Sequence, residues 1–264
     1  MFGFKKRRRN RLAGQKFPDN WLEIIKRNVP FYRLLSAADQ KELQRHILIF
    51  VGEKLFEGCS GLPITDEIKV TIAAQACILL LHRKTDYYPG LSSILVYPRS
   101  YVAHSTQSLA GGVVVKGTDI RLGESWHHGS VVLSWDDVCR SASDIHDGHN
   151  VVLHEFAHQI DIAFAKGDDT PVLKSTSTFV AWARILQKEY QKLRCEVSRD
   201  SATLLDKYGA ANPAEFFAVA TEYFFEKPKQ LQSVHSDLYE ELKRFYQQDP
   251  ARWKKEEGHI FFSI

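Results

Sequence analysis

The chain has 264 residues, which is enough to bury a substantial hydrophobic core in one large domain or two small ones. Hydrophobic residues make up 44% and charged residues 25%, an ordinary globular composition that argues against a disordered or fibrous protein. The six basic residues within positions 5–11 exceed the formal net charge of +3, so the remainder of the chain is mildly acidic. We therefore expect no direct binding to nucleic acid.

The four cysteines are widely separated and form no CxxC pair, so a structural zinc ribbon is not expected. They are Cys59, Cys77, Cys139 and Cys195. A chain of this length does not need disulfides, and we expect reduced thiols in a cytoplasmic protein. Residues 12–28 lack the apolar segment of a secretory signal. The most apolar stretch, residues 70–81, is too short to be a transmembrane segment.

The N-terminal third is predicted to be helical after a charged start. Residues 1–16 are expected to form a disordered basic tail that is either simply solvated or weakly attracted to anionic lipid or nucleic acid. Asp19, Ser36 and Thr65 each open a stretch whose apolar residues recur at helical spacing. These three helices are predicted to support the part of the chain that follows.

The middle of the chain contains the predicted strands. They are residues 93–98, which end at a proline; residues 113–115, which follow a turn at Gly111 and Gly112; and residues 130–135. From Asn150 to Tyr246 the pattern is again mostly helical. The sequence thus predicts a single α+β domain over residues 17–264, mostly helical with a small mixed sheet. Its helical support covers about residues 17–90, and the catalytic part about residues 91–264.

His154 and His158 frame an HExxH motif, in which Glu155 follows the first histidine. Residues four apart on an α-helix differ by about 40° around its axis, so both imidazoles project from one face and can bind one zinc ion. Glu155 lies beside them and can act as a general base on water. Asn150 is a suitable N-cap for this helix. Chance would produce the motif only about 0.03 times in such a chain, so we interpret it as a metal site.

A zinc site of this kind needs a third protein ligand, which in the gluzincin arrangement is a glutamate from a later helix. Glu215 is the candidate, because Asn212 and Pro213 open a helix just before it. Two alternatives remain open. Asn212 and Glu215 have the spacing of a capping box, which would turn the carboxylate back onto its own helix end. Glu222 lies on the same face and could be the ligand, or could accept a hydrogen bond from a ligand histidine.

Two blocks of the sequence resemble a known family. The segments HEFAHQID at 154–161 and YGAANPAEFFA at 208–218 are similar to the bacterial Mlc titration factor A family and, more distantly, to the catalytic domain of anthrax lethal factor. Together with further similar segments, the resemblance covers roughly residues 20–250. These further segments are residues 94–98, GESW at 123–126, residues 129–135 and FYQQDP at 245–250.

The resemblance implies a zincin-like fold and a zinc-dependent peptidase with aminopeptidase-type activity and one zinc ion per chain. It places Glu215 at the third-ligand position and Tyr208 where its hydroxyl can stabilise an oxyanion. It also implies a cytoplasmic location and two kinds of partner: a peptide or protein substrate, and a Mlc-like transcriptional repressor of sugar uptake. The alternative is a non-catalytic protein that sequesters such a repressor and holds a structural zinc.

The sequence leaves the mode of substrate binding open. An extended peptide could add as a strand along residues 131–135, as ligands do at sheet edges. Equally, that strand could be wholly internal to the sheet, in which case no edge would be available there.

Overall fold

A computed structural model describes residues 2–253 apart from 85, 100, 110–112, 122, 127–128 and 166–175, and it describes only the backbone of residues 2, 101–109, 113–121, 123–126, 165 and 176. The described residues form mostly helices around a small sheet. The helices are α1 (Phe2–Ala13), α2 (Asp19–Asn28), α3 (Phe31–Leu34), α4 (Ala37–Glu53), α5 (Asp66–Ile78), α6 (Trp135–Ser143), α7 (Val151–Ala165), α8 (Thr176–Ser198), α9 (Pro213–Glu226), α10 (Pro228–Val234) and α11 (Ser236–Tyr246). The strands are β1 (Leu55–Gly58), β2 (Ser93–Tyr97), β3 (Tyr101–Leu109), β4 (Val113–Arg121), β5 (Gly123–Trp126) and β6 (Ser130–Ser134). Short 3-10 helices cover Lys207–Ala210 and Pro250–Arg252.

The main sheet has the strand order β1-β2-β6-β5. Strands β1, β2 and β6 are parallel, whereas β5 runs antiparallel to β6 at one edge. Ile94 and Val96 of β2 pair with Val131 and Leu133 of β6, and all four side chains are fully buried. Strands β3 and β4 form a separate antiparallel pair. The prediction of a mostly helical α+β fold with a small mixed sheet is confirmed.

Local sequence signals account for several helix starts. The Ser36 hydroxyl accepts a hydrogen bond from the Asp39 backbone N–H, and the Thr65 hydroxyl accepts one from Ile68, as expected of N-caps. Asp19 differs from expectation, because Pro18 occupies the cap position and Asp19 is the first helical residue. Its carboxylate pairs instead with Lys16.

The predicted strands are present with small differences. Residues 93–97 and 130–134 form β2 and β6, but Trp135 begins helix α6 rather than ending the strand. Residues 113–115 are part of the longer strand β4, while the turn predicted at Gly111 and Gly112 lies outside the described residues. Strand β1 was not predicted, since its four residues are mostly exposed and lack an apolar alternation.

The prediction that residues 1–16 are disordered is wrong for α1. Arg9 donates to both carboxylate oxygens of Glu53 on α4, each at 2.7 Å, and also pairs with Asp86. Its guanidinium lies 4.7 Å from the ring centroid of Tyr87, a cation–π contact. The Leu12 side chain packs against Gly52. Lysine and arginine are good helix formers, and the acidic partners on the rest of the chain hold the helix in place.

One face of α7 packs against the hydrophobic core. Phe156 on α7 is fully buried and its ring centroid lies 4.8 Å from that of Tyr88 and 5.6 Å from that of Phe50 on α4. Helix α5 supplies ten buried residues to the same core, namely Ile68 and the nine consecutive residues 70–78. The HExxH helix therefore rests on the N-terminal helices as well as on the sheet. Within the described part of the chain, no helix combines the length and apolar character needed to cross a membrane.

We expect Arg9→Ala to weaken the docking of α1 by about 2 kcal/mol, because Glu53 and Asp86 lose charged hydrogen bonds. Hydrogen exchange of the amides in residues 4–12 measures this as a lower free energy of local opening. The exposed Lys6→Ala is the matched control and should leave protection unchanged. Equal protection in both variants would show that Arg9 does not hold the helix.

Candidate metal centre

Helix α7 begins at a completely hydrogen-bonded asparagine. The Asn150 side-chain oxygen accepts from the Leu153 backbone N–H at 3.0 Å, which caps the helix. Its amide group donates to Gln75 on α5 at 3.0 Å and to Glu226 on α9 at 3.1 Å. Because Asn150 is fully buried, all of these bonds are shielded from water and together fix where α7 starts.

Helix α9 supplies the acidic side chains opposite α7. Asn212 caps it by accepting from the backbone N–H groups of Ala214 and Glu215, both at 3.0 Å, and Pro213 occupies the first helical position. The Glu215 carboxylate does not act as a capping-box partner here, since it contacts the two histidines of α7. Seven residues on, Glu222 also faces His154.

Three donor atoms converge between these helices. Glu215 Oε2 lies 3.0 Å from His154 Nε2 and 3.3 Å from His158 Nε2, and the two Nε2 atoms are 3.2 Å apart. Zinc bound tetrahedrally at its usual distances separates neighbouring ligands by about 3.3 Å. Two imidazoles and one carboxylate are also the donor set that zinc prefers. The three residues therefore fit a zinc ion in chemistry and in spacing.

Glu222 orients one of these histidines. Its Oε1 accepts a 2.7 Å hydrogen bond from His154 Nδ1, and its Oε2 accepts from the Asn150 backbone N–H at 2.6 Å. A proton on Nδ1 leaves the lone pair of Nε2 for a metal, which is the usual tautomer of a ligand histidine. Of the two alternatives for Glu222, the geometry thus favours the role of hydrogen-bond acceptor.

The electrostatic environment favours a positive charge at this point. Burial acts to lower the pKa of His154, but hydrogen bonds to Glu215 and Glu222 outweigh it and raise that pKa to about 10. Burial acts to raise the pKa of Glu215, yet the two histidines hold it well below its usual range. A proton or a metal cation would each be stabilised at His154 Nε2.

The remaining predicted site residues lie beside this cluster. Glu155 follows His154 on α7 and its side chain is buried, with 5% exposed. Tyr208 lies in the 3-10 helix before α9, with its ring centroid 6.0 Å from that of His154. Tyr208 is 57% exposed, so its ring borders the solvent side of the site.

The hypothesis that a peptide adds as a strand along residues 131–135 is wrong. Strand β6 is paired on one side with β2 and on the other with β5, so both of its edges are occupied. On the side of β6 away from β2, the edge strand of the main sheet is β5, the last strand in the order β1-β2-β6-β5.

Comparison with known proteins agrees with this arrangement. The family model described as glucose-regulated metallo-peptidase M90 matches residues 4–247. The chain belongs to this family. Both α7 and α9 lie within the matched region, so the M90 family relationship includes the whole candidate metal centre.

The chain aligns with individual relatives over most of its length. It is 38% identical to the uncharacterized protein slr2042 of Synechocystis sp. over 244 residues, which are 92% of this chain and 89% of that protein. It is 32% identical to Mlc titration factor A of Serratia proteamaculans over 225 residues, 82% of this chain and 84% of that protein. The factor of the same name from Klebsiella pneumoniae is 29% identical over 232 residues, 87% of each chain.

Glu226 is a member of the site that sequence analysis missed. Its Oε2 accepts from the Gly148 backbone N–H at 3.0 Å and its Oε1 accepts from Asn150. The sequence spacing could have indicated this role. Residue 226 lies 11 positions after Glu215, so both side chains project within about 20° of each other on the helix. Burial, and to a smaller extent the charges of Asp147 and Glu222, raise the pKa of Glu226 to about 9.

Glu226→Gln should make stability less dependent on pH. In the unfolded chain Glu226 loses its proton above about its ordinary pKa of 4.5, whereas the folded protein keeps that proton until about pH 9. The wild type binds more protons when folded, so its stability falls as pH rises through this window. The advantage of the variant in free energy of unfolding should therefore grow from pH 5 to pH 9, as urea titrations can measure. The exposed Glu23→Gln should show no such trend, and an advantage that shrinks with pH would contradict a neutral Glu226.

Proposed function

We propose that the protein is a zinc-dependent peptidase in which His154, His158 and Glu215 hold the metal and Glu155 is the general base. The observation that carries the proposal is the convergence of three donor atoms within 3.0–3.3 Å of one another, from two separate helices. Membership of a metallopeptidase family supports the same reaction class. The helix pair, with HExxH on one helix and a glutamate on a later one, supports a zincin-like fold of the gluzincin type.

The chemistry requires both a Lewis acid and a proton carrier. A zinc ion held at this site would polarise the peptide carbonyl and make water easier to deprotonate. The Glu155 carboxylate is next in sequence to His154 and buried, and in this proposal it would accept the proton of the attacking water and deliver it to the leaving amine. Glu222 meanwhile keeps His154 in one orientation and one tautomer.

Two further features support binding of a peptide. The Tyr208 ring lies close enough to His154 for its hydroxyl to reach a carbonyl oxygen at the site and stabilise the developing oxyanion. Strand β5 is an antiparallel edge strand of the main sheet. We propose that the substrate backbone pairs with its outer edge, because edge strands present unpaired N–H and C=O groups to extended ligands.

We assign finer properties on the same basis. Aminopeptidase-type activity and a cytoplasmic location follow from the sequence resemblance to the Mlc titration factor A family. The relatives from Serratia proteamaculans and Klebsiella pneumoniae carry that name, which refers to the titration of Mlc. We propose that this chain likewise binds a transcriptional repressor of the Mlc kind in addition to its substrate.

The alternative, a repressor-binding protein with a purely structural zinc, is less well supported. A structural site has no use for a buried carboxylate beside the ligands, yet Glu155 occupies that position. Removing the metal with a chelator separates the two functions. The peptidase proposal requires that hydrolysis stop and return on adding zinc, whether or not repressor binding changes.

Glu155→Gln should retain one zinc ion per chain while kcat/KM for peptide hydrolysis falls by about 10³-fold or more, because the base is lost but the ligands remain. Metal analysis and a peptide assay on the same sample give both quantities. Glu57→Gln, at an exposed position of β1, is the control and should behave as wild type. Full turnover in Glu155→Gln with zinc bound would remove Glu155 from the mechanism.

Glu215→Ala should lower zinc affinity more than Glu222→Ala, since one removes a proposed ligand and the other a hydrogen bond to a ligand. Loss of an outer partner typically costs 10–100-fold in metal affinity, so we expect roughly that for Glu222→Ala and a larger loss for Glu215→Ala. Competition with a zinc-binding dye measures both constants. The reverse order would reassign the third ligand to Glu222.

A further inference from the structure

An apolar cleft of about 210 Å³ lies between the end of α7, the side of α8 and the start of α9. We call it the apolar cleft. Aromatic rings form most of its wall, and the exposed Ala183 and Gln187 lie at its rim. The wall includes Phe164, Phe179, Trp182, Tyr190, Pro213 and Phe216. None of the described residues that line it carries a charge.

The apolar cleft adjoins the candidate metal centre through both helices that form that centre. On α9, Pro213 and Phe216 flank Glu215 in sequence. On α7, a smaller cavity shares Phe164 and Trp182 with the cleft and reaches back to Asp161. Asp161 is one turn beyond His158, close enough for their charges to interact. The cleft therefore lies within two helical turns of the metal ligands on both helices.

The distances suit a peptide held at the metal. Phe164 is six residues beyond His158, which is about 9 Å along the helix axis and about 120° around it. One residue of extended chain advances about 3.4 Å, so two residues and a long side chain span that distance. A side chain within two residues of the scissile bond can thus enter the apolar cleft.

The size and lining of the apolar cleft select a large apolar side chain. A cavity of about 150 Å³ lined by apolar residues accommodates benzene, and the apolar cleft is larger. Phe179 stacks on Phe164 with ring centroids 5.8 Å apart, and 45% of its surface remains exposed at the rim. A phenyl or branched aliphatic group would cover these rings, whereas a charged group would lose its hydration without gaining a partner.

We propose that the apolar cleft is the substrate subsite for a large apolar side chain, aromatic or branched aliphatic, within two residues of the bond that is cleaved. This inference rests on the proposed peptidase function and specifies its substrate class. It makes Phe179, Trp182 and Phe216 determinants of specificity rather than of the chemical step.

Binding to Glu155→Gln protein loaded with zinc tests the subsite without requiring turnover. The probes are alanine pentapeptides in which one position carries Phe or, for comparison, Asp, with that position moved along the chain. Calorimetry should show that Phe at one position binds at least tenfold more tightly than Ala, while Asp at that position binds no better than Ala. Phe that binds no better than Ala at every position would overturn the proposal.

Substitutions at the rim of the apolar cleft test whether the preference for Phe arises there. Ala183→Trp fills the apolar cleft from an exposed position and should abolish the preference for Phe, and Phe179→Ala should reduce it about threefold. Gln191→Trp, exposed on the same helix but outside the lining, is the matched control and should retain the preference. Equal melting temperatures establish that each variant is folded. A preference that survives in both Ala183→Trp and Phe179→Ala would show that Phe binds elsewhere.

Hydrolysis by the wild type separates this inference from the proposed function. Cleavage of the peptides with no preference for Phe would reject the subsite and leave the peptidase assignment standing. Conversely, binding of Phe peptides that depends on Ala183 and Phe179, without any cleavage, would reject the peptidase assignment and with it the position beside a cleaved bond, and would leave only an apolar peptide-binding site.

Discussion

Three glutamates on one face of α9 fix the position of α7, and the candidate metal centre depends on that contact. Glu215 meets the Nε2 atoms of the two histidines, Glu222 joins His154 Nδ1 to a backbone N–H, and Glu226 receives two donors at the start of α7. The contacts follow one another along the same pair of helices. A shift of either helix by one residue would break all of them together.

Placing three carboxylates along one partly buried contact is unfavourable unless each is compensated. Glu215 is compensated by the histidines, which hold its pKa low, and Glu222 by donors at both of its oxygens. Burial keeps Glu226 neutral over the ordinary pH range, which removes one of the three negative charges. The backs of both helices pack into an aromatic core, where Phe156 and Phe224 are fully buried. This low-dielectric surrounding strengthens the remaining polar contacts.

Local chemistry made part of this site predictable from the sequence. The spacing of His154 and His158 and the caps at Asn150 and Asn212 depend only on neighbouring residues, and the structure places them as expected. Glu215 could not be separated from a capping-box residue by spacing alone, because the choice depends on where α7 lies. The contacts of Glu226 and the docking of α1 could not be predicted from the sequence for the same reason. Both depend on partners more than 40 residues away, and a charged residue in the sequence does not reveal whether its partner is water or protein.

The hydrogen bond from Asn150 to Gln75 has a consequence for how the molecule can be divided. Gln75 belongs to α5 in the N-terminal third, yet it accepts from the residue that caps the HExxH helix. The first 90 residues and the rest of the chain are thus not interchangeable modules. A chimera that exchanged one part between relatives would preserve the cap only if the incoming helix carried an acceptor at the same point. The two parts are coupled through this amide as well as through the packing of Phe156 against Phe50 and Tyr88.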